Sequence, residues 1–123
     1  MNSLEKSLLC AKLAYDKKTL NLVILELKGY SALADYFIIC SGTSDRHVQA
    51  IVSHIEISLK EKGTVALGIE GAQEGKWVLL DFDDVIIHVF QEKEREFYEL
   101  ESLWAECPRI PCNENSVESK INS

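Results

Sequence analysis

The sequence predicts a mixed α/β (α+β) domain, with a five-stranded sheet and flanking helices. Segments whose apolar residues recur three and four positions apart indicate helices, and they alternate with short alternating or continuous apolar segments that indicate strands. The predicted order of elements is α-β-β-α-β-β-β-α, so that helices pack against a sheet of mixed connectivity. With 123 residues, the chain has room for one such domain.

The first half of the chain shows two helices and two strands. Asn2 or Ser3 caps a first helix, in which apolar residues recur at spacings of four, three and four. Residues 21–28 alternate between apolar and polar and predict a strand, whereas the continuous apolar segment 36–40 indicates a central strand covered on both faces. A second helix follows, and Gly63 ends it in the usual C′ position.

The second half predicts three strands and one helix. Residues 65–70 form a short strand, and residues 76–80 and 85–90 form two more, which the turn at 81–84 joins into an antiparallel hairpin. A last helix covers residues 92–104. The apolar stripe of this helix consists of Phe97, Leu100 and Trp104.

Residues 1–106 are therefore predicted to form a single domain, and residues 107–123 a polar and mobile C-terminal tail. No apolar segment approaches the ~18 residues that a membrane-spanning helix needs. The N-terminus has no apolar core followed by a small-residue cleavage site, and the four cysteines are then expected as reduced thiols. These features lead us to expect a cytoplasmic protein.

The negative charge is concentrated in the second half. Residues 1–62 carry a net charge of +1, while residues 63–123 carry −8. We do not expect the second half to bind DNA or RNA phosphates, because phosphate binding requires a cationic face. Two interpretations remain: the acidic residues contact a basic protein partner, or they only keep the chain in solution.

The predicted hairpin has two unlike faces. If its turn is even in length, one face is purely aliphatic and packs on the core. The other face carries Trp77, Leu79, Asp81, Asp84, Ile86, His88 and Phe90. Faces that mix large aromatic and polar side chains are common at protein contacts. The alternative is that the C-terminal helix covers this face within the monomer, and the two interpretations can each hold for part of it.

Asp81 and Asp83 suggest an enzymatic alternative, a small metal-dependent nucleotidyltransferase. Two aspartates two positions apart on a strand can hold Mg²⁺ together. Nucleotidyltransferases pair them with a Gly-Ser turn a short way upstream, whereas the comparable Ser41 and Gly42 lie about forty residues away. Aspartate is also favoured in turns for its own hydrogen bonds. We therefore predict no catalytic residues here.

No metal or cofactor site is predicted. Residues 41–44 precede a helix and are better explained as its N-cap than as an anion site. His47 and His54 are seven residues apart, whereas ligand pairs on a helix are more often four apart. Cys107 and Cys112 have no second pair at the spacing of a zinc site.

Several stretches of the chain together resemble the Iojap family, whose members are also called ribosomal silencing factors (RsfS). The resemblance covers about residues 4–105 and depends on motifs that occur in the family's order and spacing. These motifs are ADYFIICSGTSDRHVQA at 34–50, GIEG at 68–71, WVLLD at 77–81, DV at 84–85, HVF at 88–90, REFY at 95–98, LE at 100–101 and LW at 103–104.

The resemblance implies a nucleotidyltransferase-like fold without the catalytic motif. It also implies that the chain is not an enzyme. A member of this family binds the large ribosomal subunit through ribosomal protein L-fourteen and sterically blocks joining of the small subunit, which represses translation when nutrients are scarce. Members are typically homodimers, while organelle relatives assist assembly of the large subunit. No direct DNA binding and no membrane association are implied.

The resemblance and the residue pattern together indicate a partner-binding surface. An acidic second half suits a basic ribosomal protein, and apolar anchors would supply most of the affinity. Trp77 is the strongest anchor candidate, because tryptophan is enriched among residues that dominate binding energy. The predicted partner-binding residues are Trp77, Leu79, His88, Glu94, Arg95 and Tyr98. The sequence leaves open which of these face the ribosome and which face a second copy.

Overall fold

The computed structural model describes residues 1–115 and confirms a mixed α+β domain with helices on both faces of one sheet. The helices are α1 (Ser3–Asp16), α2 (Asp45–Glu61) and α3 (Glu92–Tyr98), followed by a 3₁₀ helix (Leu100–Trp104). The strands are β1 (Leu20–Glu26), β2 (Tyr36–Gly42), β3 (Gly68–Glu70), β4 (Trp77–Asp81), β5 (Val85–Gln91) and β6 (Arg109–Ile110). No helix in the described part of the chain is long and apolar enough to cross a membrane.

The sheet has six strands in the order β3-β4-β5-β2-β1-β6, one more than predicted. β2 and β5 pair in parallel at its centre, and the other neighbours pair antiparallel. The additional strand, β6, pairs with β1 and lies in the segment that the sequence assigned to the tail. The sequence does not predict this two-residue strand, because proline residues stand on both sides of it. The Pro108 carbonyl nevertheless accepts a 2.8 Å hydrogen bond from Glu26 N–H. Residues 116–123 of the predicted tail lie outside the described residues.

The main hydrophobic core lies between the sheet and helices α1 and α2. β2 is buried along its whole length, as its continuous apolar sequence predicts. α2 buries one stripe, which consists of Val48, Ile51, Val52, Ile55 and Leu59. This stripe has the spacing predicted from the sequence, and it fixes the face of the helix that meets the sheet.

The junction between β2 and α2 is an N-cap, as expected. The Ser44 hydroxyl accepts a 3.1 Å hydrogen bond from His47 N–H and so caps α2. The His47 ring then joins two elements, because its Nδ1 accepts from Thr43 N–H at 2.8 Å and its Nε2 lies 2.7 Å from the Lys17 carbonyl oxygen. These bonds place the start of α2 against the end of α1.

The prediction of one continuous helix over residues 92–104 is wrong. α3 ends at Tyr98, and Glu99 adopts a left-handed conformation with φ of 47°. The chain then continues as the separate 3₁₀ helix, whose residues Leu100 and Trp104 pack on the second face of the sheet. The break turns Phe97 away from the other two members of its predicted stripe, and Phe97 is 78% exposed.

Candidate protein-interaction surface

The hairpin of β4 and β5 presents the two unlike faces that the sequence predicts. Its turn is even in length, because Asp81 pairs with Ile86 and Phe82 N–H donates a 3.0 Å hydrogen bond to the Val85 carbonyl. One face carries only aliphatic residues and is fully buried against α1 and α2. These residues are Val78, Leu80, Val85, Ile87 and Val89.

The mixed face is covered along β5 and accessible along β4. Phe90 is fully buried and His88 is 4% exposed, since both lie beneath a second core cluster that includes Phe37 and Trp104. Trp77, across the strand from Phe90, is only half-buried. The 3₁₀ helix therefore covers the β5 side within the monomer, as one interpretation predicts. The β4 side is accessible, and its contact with a partner stays a prediction.

Trp77 connects the core to the accessible side of this face. Its ring stacks on Phe90 with centroids 4.8 Å apart and contacts Tyr98 with centroids 4.9 Å apart. Tyr98 contacts Phe97 in turn, at 5.0 Å and nearly perpendicular. We define Trp77, Tyr98 and Phe97 as the aromatic patch. The patch forms a continuous row of rings from the buried Phe90 to solvent, with Tyr98 52% and Phe97 78% exposed.

His88 supports Trp77 from beneath. The indole Nε1–H of Trp77 donates a 3.1 Å hydrogen bond to His88 Nδ1, so the neutral imidazole carries its proton on Nε2. That Nε2 is buried and has no hydrogen-bond partner among the described residues. Burial lowers the pKa of His88 to about 4, so the ring is neutral at physiological pH and Nδ1 stays available as an acceptor.

Glu94 lies beside the aromatic patch. It lines a cavity of about 290 Å³ together with Trp77 and Tyr98, and its Oε2 is shielded from solvent without a hydrogen-bond partner in the described chain. Leu79 is half-buried on the same face of β4, directly across from His88. The predicted residues Trp77, Leu79, His88, Glu94 and Tyr98 are thus brought together at one end of the hairpin.

Arg95, the sixth predicted residue, points into the molecule instead. Its Nε donates to Glu101 Oε1 at 2.7 Å, and one terminal nitrogen donates to Ser41 Oγ at 2.9 Å. Its side chain is only 13% exposed. Glu101 also lies 3.7 Å from Arg109, so that this network ties α3 and the 3₁₀ helix to β2 and β6. Arg95 therefore fixes the position of α3, the helix that carries Phe97 and Tyr98 of the aromatic patch.

Sequence reasoning missed two residues of this surface. The sequence predicts Phe97 in the buried stripe of a continuous helix, because its spacing to Leu100 fits such a helix and Glu99 is not a helix-breaking residue type. In the structure Phe97 is exposed. Gly71 has a positive φ of 82°, and a Cβ there would lie 2.2 Å from the Trp77 carbonyl oxygen. The GIEG motif was a signal for Gly71, but its contact with β4 is visible only in three dimensions.

The arrangement of the two aspartates differs from a metal site. The Asp81 carboxylate accepts a 2.8 Å hydrogen bond from Asp83 N–H and closes the turn. Asp81 pairs with Ile86, which pairs with Phe37, so Ser41 lies about 13 Å further along the sheet. The two halves of the nucleotidyltransferase motif therefore sit toward opposite ends of β2. Within residues 1–115, no group of three or more His, Cys, Asp or Glu side chains could hold a metal ion.

The buried cysteines are poor nucleophiles. Burial raises the pKa of Cys40 to about 11 and also raises the pKa of the fully buried Cys10 thiol. Both residues are therefore thiols rather than thiolates at neutral pH. Cys107 is buried as well, and no disulfide joins the cysteines in residues 1–115.

The fold and this surface define a small mixed α+β domain that presents an aromatic patch beside an acidic helix. Comparison with known proteins then gives the family. The family model described as "Ribosomal silencing factor during starvation", RsfS, matches residues 1–123. The chain belongs to this ribosomal silencing factor family, which supports a ribosome-silencing role.

Curated relatives agree with this assignment. The chain is 44% identical over 93 residues to the ribosomal silencing factor RsfS of Bacillus subtilis, covering 76% of this chain and 79% of that protein. It is 42% identical over 95 residues to RsfS of Halalkalibacterium halodurans, covering 77% and 81%. A mouse relative, named mitochondrial assembly of ribosomal large subunit protein 1, is 34% identical over 87 residues, or 68% of this chain and 38% of that protein.

A solved structure has the same fold. The crystal structure of a Chromobacterium violaceum protein matches with a TM-score of 0.84 at 32% identity, covering 91% of this chain and 92% of that one. The similarity extends over nearly the whole of both chains, which confirms the α+β class predicted from the sequence.

Proposed function

We propose that the chain is a non-enzymatic silencing factor that binds the large ribosomal subunit through ribosomal protein L-fourteen. Bound there, it blocks joining of the small subunit by occupying the joining face, and so represses translation when nutrients are limited. Membership of the RsfS family supports the ribosome-silencing part of this proposal. The proposed site of action is the cytoplasm, and the free protein is proposed to be a homodimer.

The observation that carries the proposal is the aromatic patch beside an acidic segment. The patch contains a half-buried tryptophan and two exposed aromatic side chains, which is the composition of binding hot spots. Residues 92–101 contain five glutamates and only two cations, and one of these cations, Arg95, is consumed by Glu101. A surface of this charge attracts a basic partner and orients it during encounter.

The six predicted residues divide into two groups in this proposal. Trp77, Tyr98, Leu79 and Glu94 contact the partner, because each lies on the accessible β4 side of the hairpin or beside it. His88 and Arg95 hold these side chains in place, because both are engaged within the chain. His88 accepts the hydrogen bond from the Trp77 indole, and Arg95 anchors the helix that carries Tyr98.

The test measures the binding of purified protein to isolated large subunits by stopped flow, which gives the rates of association and release. Trp77→Ala removes the central ring and should cost about 2 kcal/mol or more in binding, mainly through faster release. Tyr30→Ala is the control, because Tyr30 is an accessible aromatic residue, 53% exposed, on the β1–β2 loop and outside the aromatic patch. If Trp77→Ala stays folded and binds like the wild type, the proposed surface is wrong.

The electrostatic part of the proposal is tested separately. Glu94→Gln combined with Glu99→Gln should mainly slow association and flatten its dependence on salt. Glu5→Gln combined with Glu61→Gln makes the same change in charge at the far ends of α1 and α2. If both pairs of substitutions slow association equally, the net charge of the chain steers the encounter, and the acidic segment 92–101 has no special part in it.

A further inference from the structure

Phe97 is the most exposed large apolar side chain in the described part of the chain. It is 78% exposed and stands at the solvent end of the aromatic patch. Single exposed apolar residues are ordinary on protein surfaces, but this one is continuous with buried rings through Tyr98, Trp77 and Phe90. Phe97 is therefore packed against Tyr98 on its inner side and is part of a connected group of rings.

The backbone holds Phe97 outward. Arg95 points inward, because it is bonded to Glu101 and Ser41. Phe97 follows two residues later on the same helix, a rotation of about 200°, so it points in nearly the opposite direction, toward solvent. The left-handed Glu99 then separates Phe97 from Leu100, which packs on the sheet. This conformation is unfavourable for a non-glycine residue, and the chain retains it at the break that keeps Phe97 in solvent.

The surroundings of Phe97 are acidic. It lines a groove of about 490 Å³ formed only by residues of α3, among which are Glu94 and Glu96. Glu92 and Glu96 are exposed, and Lys93 is the only exposed cation on this helix. An apolar ring with carboxylates around it is complementary to an apolar pocket with basic side chains around its edge.

We propose that Phe97 is an anchor residue for the ribosomal partner and inserts into an apolar pocket with a basic rim on a large-subunit protein. This inference rests on the proposed function and adds to it a specificity-determining residue and the chemistry of the pocket that receives it. Burial of the ring upon binding supplies apolar contact area, while the adjacent glutamates pair with the basic rim.

The experiment measures equilibrium binding of the full-length protein to isolated large subunits, with the unfolding midpoint in urea determined for each variant. Phe97→Ala should weaken binding at least tenfold, about 1.4 kcal/mol, without lowering the unfolding midpoint, because the ring is exposed in the free protein. Phe97→Leu should remain within about threefold of the wild type, because an apolar pocket accepts another large apolar side chain. A purely structural role would lower the midpoint as well.

Leu67→Ala is the matched control. Leu67 is 71% exposed, and its N–H donates to the Asp81 carbonyl at the end of β4 opposite Trp77. If Leu67→Ala weakens binding as much as Phe97→Ala, the effect reflects general surface hydrophobicity and the inference is overturned. The inference is equally overturned if Phe97→Ala weakens only self-association, measured by sedimentation equilibrium, because Phe97 then faces a second copy.

Failure of this inference can be distinguished from failure of the proposed function. If Trp77→Ala weakens binding to large subunits and Phe97→Ala does not, the proposed function stands and the anchor role of Phe97 is wrong. If the wild-type protein does not bind large subunits at all, the proposed function fails and this inference fails with it. Selective weakening by Phe97→Ala, with Phe97→Leu near the wild type, supports both.

Discussion

The buried His88 makes the stability of this domain depend on pH in a defined direction. The free energy of unfolding should fall as the pH drops from 6.5 towards 4, because burial lowers the pKa of His88 from 6.5 to about 4 in the folded protein. Between these values the unfolded chain binds a proton at His88 and the folded chain does not. The stabilisation is therefore complete above pH 6.5 and is lost as the pH falls through this range.

The size of the effect follows from the difference between the two pKa values. Each unit corresponds to 1.36 kcal/mol, so the total contribution of His88 is about 3 kcal/mol, most of which is lost by pH 4.5. The residue is 4% exposed, and solvent screens this contribution little. The protonated ring would also place an N–H against the Trp77 indole N–H, which now donates to Nδ1. Loss of stability should therefore be accompanied by increased solvent exposure of Trp77.

The assay is urea denaturation of the wild type and of His88→Asn at several pH values between 7.5 and 4.5. Asparagine keeps an acceptor near the position of Nδ1 but does not titrate. All other side chains are the same in both proteins, so the difference between the two pH profiles isolates His88. The wild type should lose about 2 to 3 kcal/mol more than the variant. Equal pH dependence of the two proteins, or an NMR titration of His88 near pH 6.5, would refute the reasoning.

Three further predictions concern the support of the surface and the turn. Gly71→Ala should lower the free energy of unfolding by about 2 kcal/mol or more and weaken binding to large subunits, because the new Cβ meets the Trp77 carbonyl oxygen; an unchanged urea midpoint would contradict this. Arg95→Met should cost about 2 kcal/mol in urea denaturation, because Glu101 would keep only its longer ion pair with Arg109 and Ser41 would lose its donor; a neutral effect would show that the Arg95–Glu101 pair is dispensable. Asp81→Ala with Asp83→Ala should change stability by no more than about 1 kcal/mol for each residue and leave binding to large subunits intact; loss of a metal-dependent nucleotide turnover present in the wild type would contradict the proposal that the chain is not an enzyme.

Local patterns were sufficient to predict most of the fold. The alternation in β4 and β5 gave the hairpin and the identity of its two faces, because side chains on a strand change face at every residue. The spacing of Val48, Ile51 and Ile55 gave the buried stripe of α2. These predictions depend on residues close together in the sequence, and tertiary contacts agree with the local preference at each of them.

The differences arise where contacts between distant residues override the local pattern. Residues 92–104 have good helical spacing, but the bond of Arg95 to Ser41 and the packing of Trp104 on Phe37 are better satisfied when the chain breaks at Glu99. β6 consists of two residues between prolines, and it is defined by its pairing with β1 rather than by its own composition. Neither feature has a signal that sequence spacing could show.

The candidate surface was predicted in composition but not in the roles of its members. Large aromatic and acidic residues on one strand face and the following helix indicated a protein contact, and the structure brings five of the six predicted residues together. The sequence could not distinguish Arg95, which is buried in an ion pair, from Phe97, which is exposed. Burial of a side chain near the end of a short helix depends on where that helix breaks.

The most direct test of the central claim is a subunit-joining assay. Isolated large subunits are incubated with the purified protein, small subunits are added, and light scattering reports the formation of joined ribosomes. The wild type should prevent joining in a concentration-dependent way, while ribosomes that are already joined should bind it poorly, because the factor and the small subunit occupy the same face. Trp77→Ala should require a severalfold higher concentration for the same inhibition. Undiminished joining in the presence of saturating, folded wild-type protein would contradict the account.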